Sequence, residues 1–252
     1  MAVWDQFLTE RDRRVFAGTG HGREAGFGRR PVVMVVDVNY FFCGDRREPI
    51  LESVKRWRNG CGDVGWTAAD RIAELLVVAR ARGIPVIYST GLERRPDGWG
   101  RGRWGDKNSR KDPGAVEAAA YANTILPAVA PLPQDIVVRK AKPSVFFGTL
   151  LQSYLVDLAA DTIIVTGGVT SGCVRQTVVD GFSLNYRMAV VEECTFDRGE
   201  ASHALNLFDM HAKYADVVSL ATTRDYLASL PAGLFDEQMP SLREAQIGRA
   251  HV

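Results

Sequence analysis

Residues 162–182 read TIIVTGGVTSGCVRQTVVDGF. The first five, Thr162–Thr166, form a β-branched apolar run of strand length. Gly167, Gly168 and Gly172 then break the run with a turn. Cys173–Asn185 reads as the helix that follows. A strand that is apolar on both faces and feeds a helix through a short turn belongs to a parallel sheet covered by helices on both sides. Ligands of such sheets sit at the carboxyl ends of the strands. Cys173 stands at that edge.

Outward from this segment the same alternation continues. Pro31–Val38 (PVVMVVDV), Ile84–Ser89 (IPVIYS), Asp135–Arg139 (DIVVR) and Met188–Val191 (MAVV) read as strands, with Val217–Ser219 as a short sixth. Ala68–Arg82 is an amphipathic helix with Ile72, Leu75, Leu76 and Ala79 on one face, ended by Gly83. Thr149–Leu158 and Ser202–Tyr214 read as further helices, and Tyr121–Ala130 as a short helix or turn. The expected fold class is therefore α/β, a three-layer α/β/α sandwich around a central, mostly parallel sheet. Residues 91–114 form a polar loop rich in Gly and Arg, of the length that usually carries function.

The boundaries expected are an arm over residues 1–28, one domain over 29–230 and a tail over 231–252. Ala2–Phe16 suits a short amphipathic helix, followed by the glycine-rich stretch GTGHGREAGFG. Its GxGxG pattern precedes the first strand, whereas a dinucleotide fingerprint follows a strand and opens a helix. It reads as a linker, and a nucleotide-binding protein is set aside.

Composition narrows the function classes. With 31 basic and 30 acidic residues the net charge is +1, so nothing points to nucleic acid or an anionic membrane as partner. The longest apolar runs, Pro31–Val38 and Thr162–Gly168, fall far short of the roughly 20 residues of a membrane span. The first residues, MAVWDQFLTERDRR, carry charges where a signal peptide would be apolar. A cytoplasmic protein is expected, with Cys43, Cys61, Cys173 and Cys194 reduced. No CxxC, HxH or HExxH is present, so no metal and no cofactor are expected.

The strand ends hold the chemistry. Asp37 follows strand one, Lys140 and Lys142 follow strand three, Cys173 follows strand four, and Glu192, Glu193, Asp197 and Arg198 follow strand five. A helix start and a nearby cation would both favour a thiolate at Cys173. The residues alone equally allow a small buried cysteine under a helix start, a capping Asp37 and a solvated Lys140. No histidine lies near a strand end before residue 203, which disfavours a Cys–His pair.

Three segments resemble the isochorismatase-like cysteine hydrolases: PVVMVVDVNYFF, VVRKAKPSVFFGTLL and TIIVTGGVTSGCVRQTVVDGF. The resemblance implies a catalytic triad of Asp37, Lys140 and Cys173. The spacing to the motif serine, Ser144, selects Lys140 over Lys142. It also implies a cis peptide at Gly168–Val169 and an oxyanion hole from the Val169 and Cys173 amides. The segments SGCVRQTVVDGF, VVEECTFDR and HALNLFDMHAKYADV are most similar to the N-carbamoylsarcosine amidase and maleamate amidase branch.

That branch implies release of ammonia from a linear amide or ureido group on a small acid. Arg198 is then the expected carboxylate anchor and Arg175 a second candidate, since a guanidinium suits a carboxylate. Asn39, Phe42, Trp104 and Thr170 complete the candidate substrate contacts. The Asp and His metal motif of the nicotinamidase branch is absent. Two alternatives stand beside this reading: a vinyl-ether hydrolase that needs no thiol, and a catalytically silent binding module. Residues 46–66 look longer than their counterparts in better-known members, which bears on the substrate. A homo-oligomer such as a tetramer is implied, with a small-molecule amide or ureido substrate.

Overall fold

The computed structural model describes residues 2–93, 97, 102–107 and 121–239. Six strands form one sheet: β1 (Pro31–Val36), β2 (Val86–Gly91), β3 (Ile136–Lys140), β4 (Thr162–Gly168), β5 (Arg187–Phe196) and β6 (Asp216–Val218). Their order is β3-β2-β1-β4-β5-β6 and every pairing is parallel. The central strands β1 and β4 are buried along their whole length, as their unbroken apolar runs require.

The helices are α1 (Glu10–Thr19), α2 (Tyr40–Cys43), α3 (Ile50–Arg56), α4 (Asp63–Ala81), α5 (Leu151–Asp157), α6 (Arg175–Ser183), α7 (Glu200–Lys213) and α8 (Leu220–Ser229). The crossovers β1→β2 and β4→β5 run in opposite directions along the sheet. Right-handed crossovers then put their helices on opposite faces. Accordingly α4 packs with α8 against β5 on one face, while α6 and α7 pack together on the other. The strand order reverses between β1 and β4, and a crevice opens there at the carboxyl ends. Gly167 keeps that junction tight. Its φ is +97°, and a Cβ there would stand 2.0 Å from the Val36 carbonyl oxygen.

Several boundaries differ from the sequence reading. The expected Ala2–Phe16 helix is a 3-10 turn at Asp5–Phe7 followed by α1, because Thr9 and Asp12 form a reciprocal capping box that starts the helix at Glu10. Strand one stops at Val36, and Asp37 turns away with φ +51°. The Cys173 helix begins later: Thr170–Val174 is a π-type turn, and α6 starts at Arg175. Tyr121–Ala130 contains only a 3-10 turn, Pro127–Val129. Its Asn39–Ile125 bridge instead lays the segment beside the chain that leaves β1.

Residues 46–66 fold into α3 and the start of α4, with Trp57 and Cys61 fully buried. Helix α8, capped by Ser219, has no counterpart in the sequence reading. Most of the loop at 91–114 lies outside the described residues; Gly102–Lys107 forms a 3-10 turn. Packing also reaches past Leu230. Phe235 is buried, and the Arg30 guanidinium lies 4.5 Å from its ring centroid.

Candidate active site

Three side chains from three strand ends meet at the crevice. The Asp37 amide donates to the Ser89 carbonyl (3.1 Å), which fixes the turn after β1 against β2. The Asp37 carboxylate accepts from Ser89 Oγ at 2.8 Å and from Lys140 Nζ at 2.6 Å. Lys140, the last residue of β3, also has Nζ 3.4 Å from Cys173 Sγ and donates to the Lys142 carbonyl at 3.2 Å. Exposure is 1% for Asp37, 7% for Lys140 and 5% for Cys173, so the cluster is nearly closed to solvent. Deleting one member of such a buried ion pair typically costs about 3–5 kcal/mol, because the other charge is left alone.

Burial by itself would lower the Lys140 pKa. The Asp37 charge, the neighbouring Cys173 and hydrogen bonds to both carry it above its ordinary value, so the ammonium persists. Cys173 is pushed up to about 12, first by burial and then by the Asp37 charge and hydrogen bond, against an opposing effect of Lys140. The sequence reading expects helix and lysine to favour a thiolate. Here α6 starts two residues beyond Cys173, and burial with Asp37 outweighs the lysine. The net effect favours the thiol over the thiolate.

The three residues border a cavity of about 250 Å³. Val169, Gly172 and Cys173 form one wall, and the Gly168–Val169 peptide is cis. Phe42 and Arg198 line the cavity as expected substrate contacts would. Arg198 also donates to the Asn59 carbonyl at 3.2 Å.

The remaining candidate contacts lie elsewhere. Asn39 is buried; its Oδ1 accepts from the Phe42 amide and its Nδ2 donates to Thr90 Oγ1, so it positions the turn after β1. Thr170 Oγ1 is occupied by the Phe196 carbonyl and His203 Nδ1. Arg175 turns to α7, where it donates to Asn206 and lies 3.7 Å from Asp209. On the helix after the cysteine it faces a neighbouring helix, not the crevice. Trp104 falls in the Gly102–Lys107 turn, and its side chain lies outside the described residues.

Sequence reasoning missed Phe41, Asn59, Asn123, Lys142 and Ser171 in the lining. Asn59 and Asn123 come from segments with no strand-end signal. Lys142 was visible only as the competitor of Lys140. Behind the wall, the buried Asp197 carboxylate accepts from the Ser171 and Arg198 amides, both at 2.7 Å. It ties the nucleophile turn to the end of β5. Among the described residues no group of three His, Cys, Asp or Glu side chains could hold a metal ion, and no helix is long and apolar enough to cross a membrane.

Comparison with known proteins identifies the family. Residues 33–222 match the Isochorismatase domain. The chain is 30% identical over 234 residues to an N-carbamoylsarcosine amidase from Arthrobacter sp, covering 90% of this chain and 81% of that one. It is 32% identical over 199 residues to a maleamate amidohydrolase from Pseudomonas putida, covering 79% of this chain and 87% of that protein. A cysteine hydrolase from Pseudomonas syringae pv. phaseolicola superposes with a TM-score of 0.68 at 23% identity, over 79% of this chain and 93% of that one. A domain match that spans most of the sheet and both faces of helices, with more than four fifths of each of these two relatives covered, decides the matter: the chain belongs to the isochorismatase family of hydrolases.

Proposed function

We propose that the protein is a cysteine amidohydrolase that cuts a linear amide or ureido C–N bond in a small carboxylate-bearing substrate and releases ammonia. The observation that carries this reading is the buried contact chain Asp37–Lys140–Cys173 at 2.6 and 3.4 Å in a cavity bordered by Arg198. The amidase names of two relatives supply the bond type.

In this scheme Asp37 takes the Cys173 proton as sulfur attacks the carbonyl carbon, and Lys140 stabilises the charge that develops. A C–S bond forms, and the carbonyl oxygen becomes an oxyanion held by the Val169 and Cys173 amides. The C–N bond then breaks, and Asp37 returns its proton to the leaving nitrogen, which departs as ammonia. Water, deprotonated by Asp37, attacks the thioester; the C–S bond breaks and the thiol is restored. Arg198 holds the substrate carboxylate, with Phe42 against its apolar part. The free cysteines suit a reducing cytoplasm, and a homo-oligomer is part of the same reading.

Screening linear amides and N-carbamoyl acids for ammonia release tests it. Cys173→Ala should reduce the rate on every accepted compound by at least about 10³-fold. Full activity in that variant would overturn the scheme.

A further inference from the structure

We infer that the cavity selects substrates with two anionic groups, and that Lys142 is the residue that reads the second one. This rests on the amidohydrolase reading of the same cavity. Among the described lining residues, the acidic and basic side chains are Asp37, Lys140, Lys142 and Arg198. Asp37 and Lys140 neutralise one another at 2.6 Å. Lys142 and Arg198 remain, and neither forms an ion pair with an Asp or Glu among the described residues. The carboxylate nearest Arg198 in sequence, Asp197, is occupied by two backbone amides. Among the described residues, the cavity therefore offers two cations with no ion-pair partner.

The two cationic residues follow strands on either side of β4, which leads to the thiol. Lys142 follows β3, one edge of the sheet, and Arg198 follows β5, while Asp37 and Cys173 follow the strands between. Four inter-strand spacings, about 19 Å, separate β3 from β5, so both long side chains must reach inward toward the nucleophile. The Lys142 backbone is fixed, because its carbonyl accepts from Lys140 Nζ. Its ammonium lies against Gly102, whose missing Cβ would stand 2.5 Å from Nζ. A half-buried ammonium in the lining of the cavity that holds Cys173, with no carboxylate of its own among the described residues, suits an anionic group of the substrate. The substrate class is then a ureido or amide derivative of a dicarboxylic acid, with one carboxylate on Arg198 and the other on Lys142.

Calorimetry on the full chain carrying Cys173→Ala tests this without turnover, using N-carbamoyl-aspartate as dianion and N-carbamoyl-β-alanine as monoanion. The dianion should bind at least about tenfold more tightly. Adding Lys142→Gln should bring the ratio of the two affinities to about one, and Lys142→Arg should restore it. Equal affinities in the Cys173→Ala protein, or a ratio that Lys142→Gln leaves in place, would overturn the inference. Ammonia release by the unsubstituted enzyme is measured on both compounds in parallel. A dianion preference in binding with no ammonia from either compound supports the anion reading and counts against the hydrolase reading alone.

Discussion

The Cys173 sulfur lies 3.4 Å from an ammonium and yet its pKa is raised, because burial and the Asp37 carboxylate act more strongly on it than Lys140 does. This has a kinetic signature. With a pKa pushed up to about 12, iodoacetamide alkylation of Cys173 should climb about tenfold per pH unit from pH 7 to 10, without a plateau. Asp37→Asn removes a charge that raises the thiol pKa while leaving Lys140 in place. Alkylation at pH 8 should then speed up, while hydrolysis falls by about 10²–10⁴-fold for want of the proton acceptor. A variant slowed in both reactions would show that Asp37 only holds the fold together. At this scale the positions of Asp37 and Cys173 were legible, since a carboxylate and a thiol at the ends of apolar strands need a reason. The protonation state was not legible, because it depends on how close segments far apart in the chain approach one another.

Two connections carry the geometry at the scale of elements. The π-type turn Thr170–Val174 presents Cys173, and the end of β5 presents Arg198. Asp197 holds both through the Ser171 and Arg198 amides. As a positioning residue it should affect turnover and binding together. Asp197→Ala should lower kcat by about 10²-fold as the turn shifts and raise KM as Arg198 loses its register. Loss of thermal stability with both constants unchanged would limit Asp197 to structure. Strands and long helices were legible from periodicity, while short elements were not. Helix α2 depends on its Asn39 cap and α3 ends on the buried Trp57, and α1 was misplaced because its start is set by the Thr9–Asp12 capping box rather than by its apolar spacing.

Across the described residues, the N-terminal arm and the segment from Leu230 to Met239 pack on the body of the fold. Trp4 stacks on His211 and Phe16 meets Phe208, both on α7, and Phe27 stacks on Tyr226 of α8. Arg30 closes this side. Its guanidinium donates to the Leu158, Ala159 and Leu234 carbonyls and to Gln238, over the Phe235 ring. Arg30→Ala should destabilise the fold by about 2 kcal/mol, a fall in Tm of about 4–8 °C at this chain length. Differential scanning calorimetry checks this, and a shift under 1 °C would show that the clamp is dispensable. These contacts escaped the sequence because a lone arginine before a strand and a phenylalanine near a chain end carry no periodic pattern.

The central claim is that Cys173 becomes covalently acylated. Mass spectrometry of the intact protein and of its peptides, after rapid acid quench with an accepted amide or ureido substrate, tests it most directly. The account predicts a mass increase equal to the acyl fragment after loss of ammonia, on the peptide that carries Cys173, and no such increase in Cys173→Ala. Turnover with the adduct on another residue, or undiminished turnover in Cys173→Ala, would contradict it.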